Sequence, residues 1–263
     1  MKNVVNIPDK NLKRSLNSQF KKADLNSKIT IDEMQSLELL DLSFANICDI
    51  TGLEEAINLK SLTLSRNIKI KDFSPLKGLV SLERLYLIEN NLSNLDFLKE
   101  LKNLEHLALS ENNIKDITML SNLSKLSILN LCFNKIEDVS ALKELNELVV
   151  LAISSNNISD ITSLKNLTNM KVLHLDDNRI SDISPLEYLN NMKYLNLGVN
   201  NIEDASILCN ISSLEELYMY NNKVSDIVFL GKLKNLSHLD LQNNKIVNVS
   251  IVDKLGNLEH LSI

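Results

Sequence analysis

Residues 173–197 read LHLDDNRISDISPLEYLNNMKYLNL, and the pair Leu173-x-Leu175 has returned as Leu195-x-Leu197 before the stretch ends. The interval is 22 residues. Working outward in both directions, the unit L-x-x-L-x-L-x-x-N-x-I-x-D-I-x-x-L recurs with hardly a gap. With the third Leu as anchor, the series is Leu42, Leu64, Leu87, Leu109, Leu131, Ile153, Leu175, Leu197, Met219, Leu241 and Ile263. Every step is 22 except Leu64 to Leu87, which is 23; the added residue lies in Asn67-Ile68-Lys69-Ile70. Self-similarity at this spacing is the mark of a solenoid of stacked coils. Ten full repeats and the start of an eleventh occupy residues 37–263.

Each offset from the anchor carries a physical role. Leu at −2 and the anchor at 0 alternate with polar residues, the period of a strand with one buried face. Offset +3 is Asn in nine of the ten full units: Asn67, Asn90, Asn112, Asn134, Asn156, Asn178, Asn200, Asn222 and Asn244. An amide can donate and accept at once, so a ladder of these side chains would satisfy backbone groups where the chain leaves each strand. Ala45 interrupts the ladder in the first unit, as terminal repeats often do. At +9, Ser, Thr or Asp predominates, for example Thr118, Ser140, Thr162 and Ser184. These predict N-caps of short helical turns, with Pro75 and Pro185 as first helical residues. The expected fold class is α/β: a leucine-rich-repeat solenoid with a curved parallel β-sheet on the concave side and helical turns on the convex side.

Residues 1–36 differ. Ile7, Leu12, Leu16 and Phe20 follow helical spacing around Pro8-Asp9, and Thr30-Ile31-Asp32-Glu33 is a capping box. They predict an N-terminal helical cap over the first coil, continuous with residues 37–263 as one structural domain.

Composition narrows the function classes. Lys and Arg number 28 against 34 Asp and Glu, a net charge of −6, which disfavours nucleic acid and anionic membrane surfaces as partners. No stretch approaches the roughly 20 apolar residues of a membrane span. Cys48, Cys132 and Cys209 are odd in number and unrelated in spacing, so neither a disulfide framework nor a metal knuckle is expected. The opening MKNVVNIPDKNLKRSL has no apolar signal-peptide core. As written, this predicts a cytoplasmic protein; if the chain is part of a longer one, a secreted or cell-surface protein. Leu258, Leu261 and Ile263 close the sequence inside a strand without a polar cap, so either a monomer or weak self-association through that edge is expected.

The entry VNIPDKNLKRSL, the ITIDEM turn and repeats such as the stretch quoted above resemble bacterial internalin-like leucine-rich-repeat proteins of the 22-residue class. The resemblance covers essentially the whole chain. It implies a protein-binding module that recognises its partner on the concave sheet. A eukaryotic phosphatase-regulating relative of the same class implies an alternative, a regulatory subunit that docks on an endogenous enzyme. The family usually carries a signal peptide and surface-anchoring modules; neither is read in these residues.

The residues themselves point to where a partner would sit. Offsets −3, −1, +1 and +2 should face outward from the sheet. All four His fall there (His106, His174, His238, His260), as do Tyr86, Tyr194, Tyr218 and Tyr220. Rings that combine apolar area with a hydrogen bond are typical interface anchors. One expected patch comprises Tyr86, Ile88, Ile128, Cys132, Phe133 and Val150. A second is the stripe Tyr194, Tyr218 and Tyr220 flanked by His174 and His238. At the same offsets seven acids (Asp41, Glu89, Glu111, Asp176, Asp177, Glu216, Asp240) face Arg66 and Arg84, so a partner with a basic surface is expected.

Sharper chemistries are weaker. His238, Asp240 and His260 could bridge a metal across two coils, but a fourth ligand is missing. The Asp series at +7 (Asp49, Asp72, Asp116, Asp138, Asp160, Asp182, Asp204, Asp226) reads as backbone-bonded rather than calcium-binding, because no glycine-rich nonapeptide accompanies it. Ser154, His174 and Asp176 could mimic a hydrolase triad, yet a smooth sheet offers no oxyanion hole. Cys132 is expected to be exposed and to act as a contact residue. No catalytic residue, cofactor or metal site is assigned.

Overall fold

A computed structural model describes residues 4–263 as two compact units, the first ending at Leu126 and the second running Ser127–Ile263.

The first unit opens with helix α1 (Lys10–Gln19). Asp9 starts it. One carboxylate oxygen accepts from the Asn11 and Leu12 amides at 2.8 and 2.9 Å, two of the donors a helix start leaves unpaired. The other accepts from the Cys48 amide at 2.8 Å, in the first coil. Leu12 and Leu16 are fully buried, whereas Ile7 precedes the helix and Phe20 closes it, so the helix is shorter than the apolar spacing suggested. Helix α2 (Ile31–Gln35) carries the expected capping box: the Thr30 amide donates to Glu33 at 2.8 Å and the Glu33 amide to Thr30 Oγ1 at 3.3 Å. The strands β1 (Leu39–Asp41), β2 (Ser61–Thr63), β3 (Arg84–Tyr86) and β4 (His106–Ala108) then pair in parallel, in chain order. The added residue of the longer repeat leaves Ile68 exposed and Ile70 buried, so the core position is kept and the insertion bulges outward.

The second unit contains β5 (Ile128–Asn130), β6 (Val150–Ala152), β7 (Val172–His174), β8 (Tyr194–Asn196), β9 (Glu216–Tyr218), β10 (His238–Asp240) and β11 (His260–Ser262), again parallel and in chain order. Register is strict: Leu151, Leu173, Leu195, Leu217 and Leu239 face one another in turn. Within the coil anchored at Leu175, Leu173, Leu175, Ile180, Ile183, Leu186, Leu189 and Met192 are at most 1% exposed. From Ile180 to Met192 the apolar residues come every third position. That spacing matches three residues per turn, and the helical turns are indeed 3₁₀, such as Ser184–Leu186.

The asparagine ladder is present, buried except at Asn156 and Asn244, which are half-buried. Asn178 Nδ2 donates to the Ile153 carbonyl of the preceding coil (3.1 Å) and the Leu175 carbonyl of its own (3.0 Å), while Oδ1 accepts from the Ile158 amide (3.0 Å). Asn156, Asn200, Asn222 and Asn244 repeat the arrangement in the second unit, and Asn67, Asn90 and Asn112 form the equivalent ladder in the first. The residue before each ladder position is left-handed, although none is Gly: Phe44, Arg66, Glu89, Glu111, Phe133, Ser155, Asp177, Val199, Asn221 and Asn243 have φ of 53–62°. Left-handed backbone costs roughly 1–2 kcal/mol for such residues, so the ladder and the backbone bonds around it must hold the turn closed.

One expectation is corrected. Thr118, Ser140, Thr162 and Ser184 at +9 are not N-caps; they are the first residues of their 3₁₀ turns, and their amides are satisfied by Asp at +7. The Thr118, Ser140, Thr162 and Ser184 amides donate to Asp116, Asp138, Asp160 and Asp182 at 2.7–2.8 Å. Reaching forward two residues, an Asp closes an Asx turn, and this pre-empts the shorter hydroxyl side chain. Pro75 and Pro185 accordingly become second residues of their turns. A second set of side-chain bonds recurs at +16: Asn103 in the first unit and Asn169, Asn191, Asn235 and Asn257 in the second each donate to a carbonyl of the preceding coil at 2.8–2.9 Å.

This bonding can be tested at two points. Asn178→Ala strands buried carbonyls and an amide and should lower stability by about 1–3 kcal/mol. Exposed Asn166→Ala should shift it by less than about 0.5 kcal/mol. Equal losses in denaturant midpoint would remove the ladder's role. The second point is Asp9. Burial raises its carboxyl pKa, but bonds from Cys48, Leu12 and Asn11 outweigh this and leave it below the ordinary value. Its contribution is therefore fully present above the unfolded carboxylate's pKa and lost as pH falls through the depressed one. Asp9→Ala should cost about 1 kcal/mol at neutral pH, and the gap from wild type should close on acidification. A gap that stays constant down to about pH 2 would contradict this.

Candidate functional site

The strands are only three residues long and cover offsets −3 to −1, so +1 and +2 lie in the turn that follows. Ladder bonding nevertheless continues through them: the Asp177 amide donates to the Gly198 carbonyl and the Val199 amide to the Tyr220 carbonyl, at 2.9 and 2.8 Å. All four offsets thus stay aligned from coil to coil within a unit.

In the second unit, three rings come together on adjacent strands. His174 at −1 of β7 lies 4.5 Å from Tyr194 at −3 of β8, and Tyr194 lies 5.4 Å from Tyr218 at −1 of β9. Register explains the zigzag, because Val172 pairs with Tyr194 and Asn196 with Tyr218, placing the rings on a diagonal. The centroid separations and tilts suit aromatic pairs. Tyr218 Oη donates to Glu216 Oε2 at 2.9 Å. Burial first, and this hydrogen bond second, push the Tyr218 phenol up to about 12. Tyr194 and Tyr220 are also raised, chiefly by burial, with Asp176 adding to it. Burial holds His174 below its ordinary value against the pull of Asp176, so the ring is neutral at neutral pH. The cluster is therefore uncharged rings beside carboxylates.

Tyr220 does not simply stand beside Tyr218. It folds across Gly198 of the preceding coil, where a Cβ would collide with its ring. The Asn196 side chain accepts from the Gly198 amide at 3.0 Å, fixing the turn that Tyr220 covers. The sequence reading does not reach Gly198 and Asn196; the available signal is a lone Gly at a strand-face offset, which marks close approach. His238 pairs with Glu216 across β9 and β10. It stacks on His260 at 4.4 Å, with Nδ1 2.9 Å from Ser237 Oγ. Near-parallel stacked imidazoles do not converge on one ion, which needs both nitrogens within about 2.1 Å of it. Among the described residues no group of three or more His, Cys, Asp or Glu is placed to hold a metal. Asp240 accepts from the Gln242 amide at 3.0 Å.

Ser154, His174 and Asp176 are neighbours but not a triad. Ser154 Oγ donates straight to Asp176 Oδ1 at 2.6 Å, and His174 is engaged with Tyr194. Cys132 is half-buried rather than exposed, and burial raises its thiol pKa, away from the reactive thiolate. Ile128 pairs with Val150 across β5 and β6, and Phe133 is 59% exposed. In the first unit Tyr86 and Ile88 are half-buried. Phe44, 66% exposed, lies outside the expected patches although it occupies the same +2 row as Phe133. Arg66 lies over its ring at 4.9 Å and pairs with Glu89 at 2.7 Å.

That pairing localises the charge. In the second unit the four offsets hold Asp176, Asp177, Glu216 and Asp240 and no Lys or Arg. In the first, Arg66 and Arg84 offset most of Asp41, Glu89 and Glu111. No helix among the described residues is long and apolar enough to cross a membrane.

Comparison with known proteins agrees with the geometry. Residues 57–100, 102–144, 146–188, 168–210, 190–232 and 212–254 match the family model for leucine-rich repeats in two copies. An internalin (InlF) from Listeria monocytogenes is 27% identical over 99% of this chain and 97% of its own, with a TM-score of 0.56. Internalin C2 (InlC2) from the same organism is 28% identical over 97% of this chain and 94% of its own, with a TM-score of 0.58. The leucine-rich-repeat ectodomain of the plant receptor kinase GASSHO1/SCHENGEN3 from Arabidopsis thaliana, solved in complex with CASPARIAN STRIP INTEGRITY FACTOR 2, is 26% identical, with a TM-score of 0.64. That match covers 73% of this chain and 25% of the receptor chain. No curated protein matches the chain. The 22-residue period, the buried asparagine ladder and the family match lead to one conclusion: the chain belongs to the leucine-rich-repeat family and is an internalin-like member of it.

Proposed function

We propose that the chain is a non-enzymatic protein-binding module that recognises a protein partner on the concave strand face, with its energetic centre at Tyr194, Tyr218 and Tyr220. The observation that carries this reading is the His174–Tyr194–Tyr218 ring series, half-buried and in mutual contact on the outward side of the sheet. Apolar rings with a polar rim of Glu216, Asp176 and Asp240 follow the usual anatomy of a contact site. The acids of this face favour a partner with a basic surface. Tyr86, Ile88 and Phe133 are read as secondary contacts, and His238 as an outlying one. Residues 1–36 are read as a cap belonging to the same domain as residues 37–263. A complex of the plant ectodomain with its named factor is in keeping with the same use of the fold.

The test compares Tyr218→Ala with Tyr188→Ala, Tyr188 being 63% exposed on the side of the 3₁₀ turns. Once a partner is captured and purified, Tyr218→Ala should weaken binding by about 2 kcal/mol, roughly thirtyfold, with Tyr188→Ala unchanged. Unaltered affinity for a folded Tyr218→Ala protein would move the contact away from the tyrosines.

A further inference from the structure

Two places on the outward face combine an aromatic ring with a carboxylate, and they differ in one component. In the first unit the chain supplies all three parts: the Phe44 ring, the Arg66 guanidinium 4.9 Å from its centroid, and the Glu89 carboxylate 2.7 Å from Arg66 Nε. In the second unit the rings of Tyr194 and Tyr218 lie 5.4 Å apart, and the Glu216 carboxylate is held beside them by the Tyr218 hydroxyl. Asp176 and Asp240 flank them, and no Lys or Arg occupies any of the four offsets. None of these acids has an ion-pair partner among the described residues.

We propose that the Tyr194–Tyr218 ring pair and the Glu216 carboxylate take up a guanidinium, the side chain of an arginine presented by a basic segment of the protein partner. The assignment rests on the strand-face reading above and specifies its chemistry. A guanidinium fits better than an ammonium for three reasons. It is flat and stacks on a ring face, its forked donors match a carboxylate, and it sheds water more readily than a compact ammonium. Nothing in the cluster competes for the place. The phenols stay protonated and the His174 imidazole neutral at neutral pH, so the rings present their negative faces to a cation next to carboxylates that have no ion-pair partner among the described residues.

The probe is a fluorescein-labelled hexa-arginine peptide, titrated into the full chain at low salt and followed by anisotropy, with hexa-lysine as comparison. Wild type should bind hexa-arginine more tightly than hexa-lysine. Tyr218→Leu and Glu216→Gln should each weaken hexa-arginine by at least about fivefold, while Tyr218→Phe, which keeps the ring face but frees Glu216, should weaken it less than Tyr218→Leu does. Convex-side Glu137→Gln, which removes the same charge elsewhere, should have no effect. Circular dichroism melts confirm that each variant is folded. Equal binding of the two peptides with no response to Tyr218→Leu would mean general attraction to an acidic chain, and would overturn the assignment. Absence of hexa-arginine binding would overturn it as well, and if Tyr218→Ala still weakened the purified partner, the strand-face reading would survive without the guanidinium.

Discussion

A buried primary amide at one position per coil is the constraint on which the other features depend. Where the chain leaves each short strand it turns sharply, and the carbonyls of two successive coils and one amide would otherwise point into a dry interior. Each such orphan costs about 1–3 kcal/mol. Asn meets all of them with one side chain, because its NH₂ donates twice and its carbonyl accepts. Asp cannot donate, a hydroxyl has a single proton, and Gln carries an added carbon that the turn has no room for. In Asn178 the three bonds run to Ile153, Leu175 and Ile158. Two of those residues belong to the preceding coil, so the side chain that closes one turn also fixes its stacking on the next.

Fixed stacking is what makes the outward face usable. Because Leu173, Leu195 and Leu217 stand in register, the residues flanking them form straight rows and diagonals across strands about 4.8 Å apart. Core and ladder positions are committed to holding the coils together. Offsets −3, −1, +1 and +2 are comparatively free, and the two units use that freedom differently. The first neutralises its own carboxylate through Arg66, whereas the second accumulates rings and acids without a cation.

The parts of the fold that depend on residues close together in sequence, or on strict period, were legible beforehand. The Leu alternation marked the strands, the Asn series marked the ladder, and Thr30-x-x-Glu33 marked the cap of α2. The misreadings share a cause in competition between local signals. Asp at +7 and Ser or Thr at +9 are both good capping residues, and only geometry shows which prevails. The Asp116 carboxylate already holds the Thr118 amide, so the hydroxyl is not needed as a cap. Left-handed backbone at +2 was hidden because Phe44, Glu89 and Val199 carry no signature of it. The direction of Tyr220 was illegible for a different reason. It depends on the missing Cβ of Gly198, one coil earlier in sequence and adjacent only after the coils stack. The stacking of His238 on His260 was hidden for the same reason, since His260 lies one coil on.

The same commitments that keep Ser154, His174 and Asp176 from forming a triad suit the face to the recognition proposed above. A nucleophile needs a base within reach, yet the Ser154 hydroxyl donates its hydrogen bond to Asp176 and His174 packs on Tyr194. Tyr218 and Glu216 likewise satisfy each other, and Asn196 holds the Gly198 amide under Tyr220. Groups bound in this way present a surface whose rotamers are already fixed before a partner arrives. Ordering a side chain on association costs about 0.5–1.5 kcal/mol, so half-buried rings held by their neighbours bind with less of that cost than free ones. Tyrosine adds little of its own, having only two rotatable bonds for a large amphipathic area. On the reading proposed above, coils held in register can vary their partner by changing a few outward side chains, while the ladder within each unit stays the same.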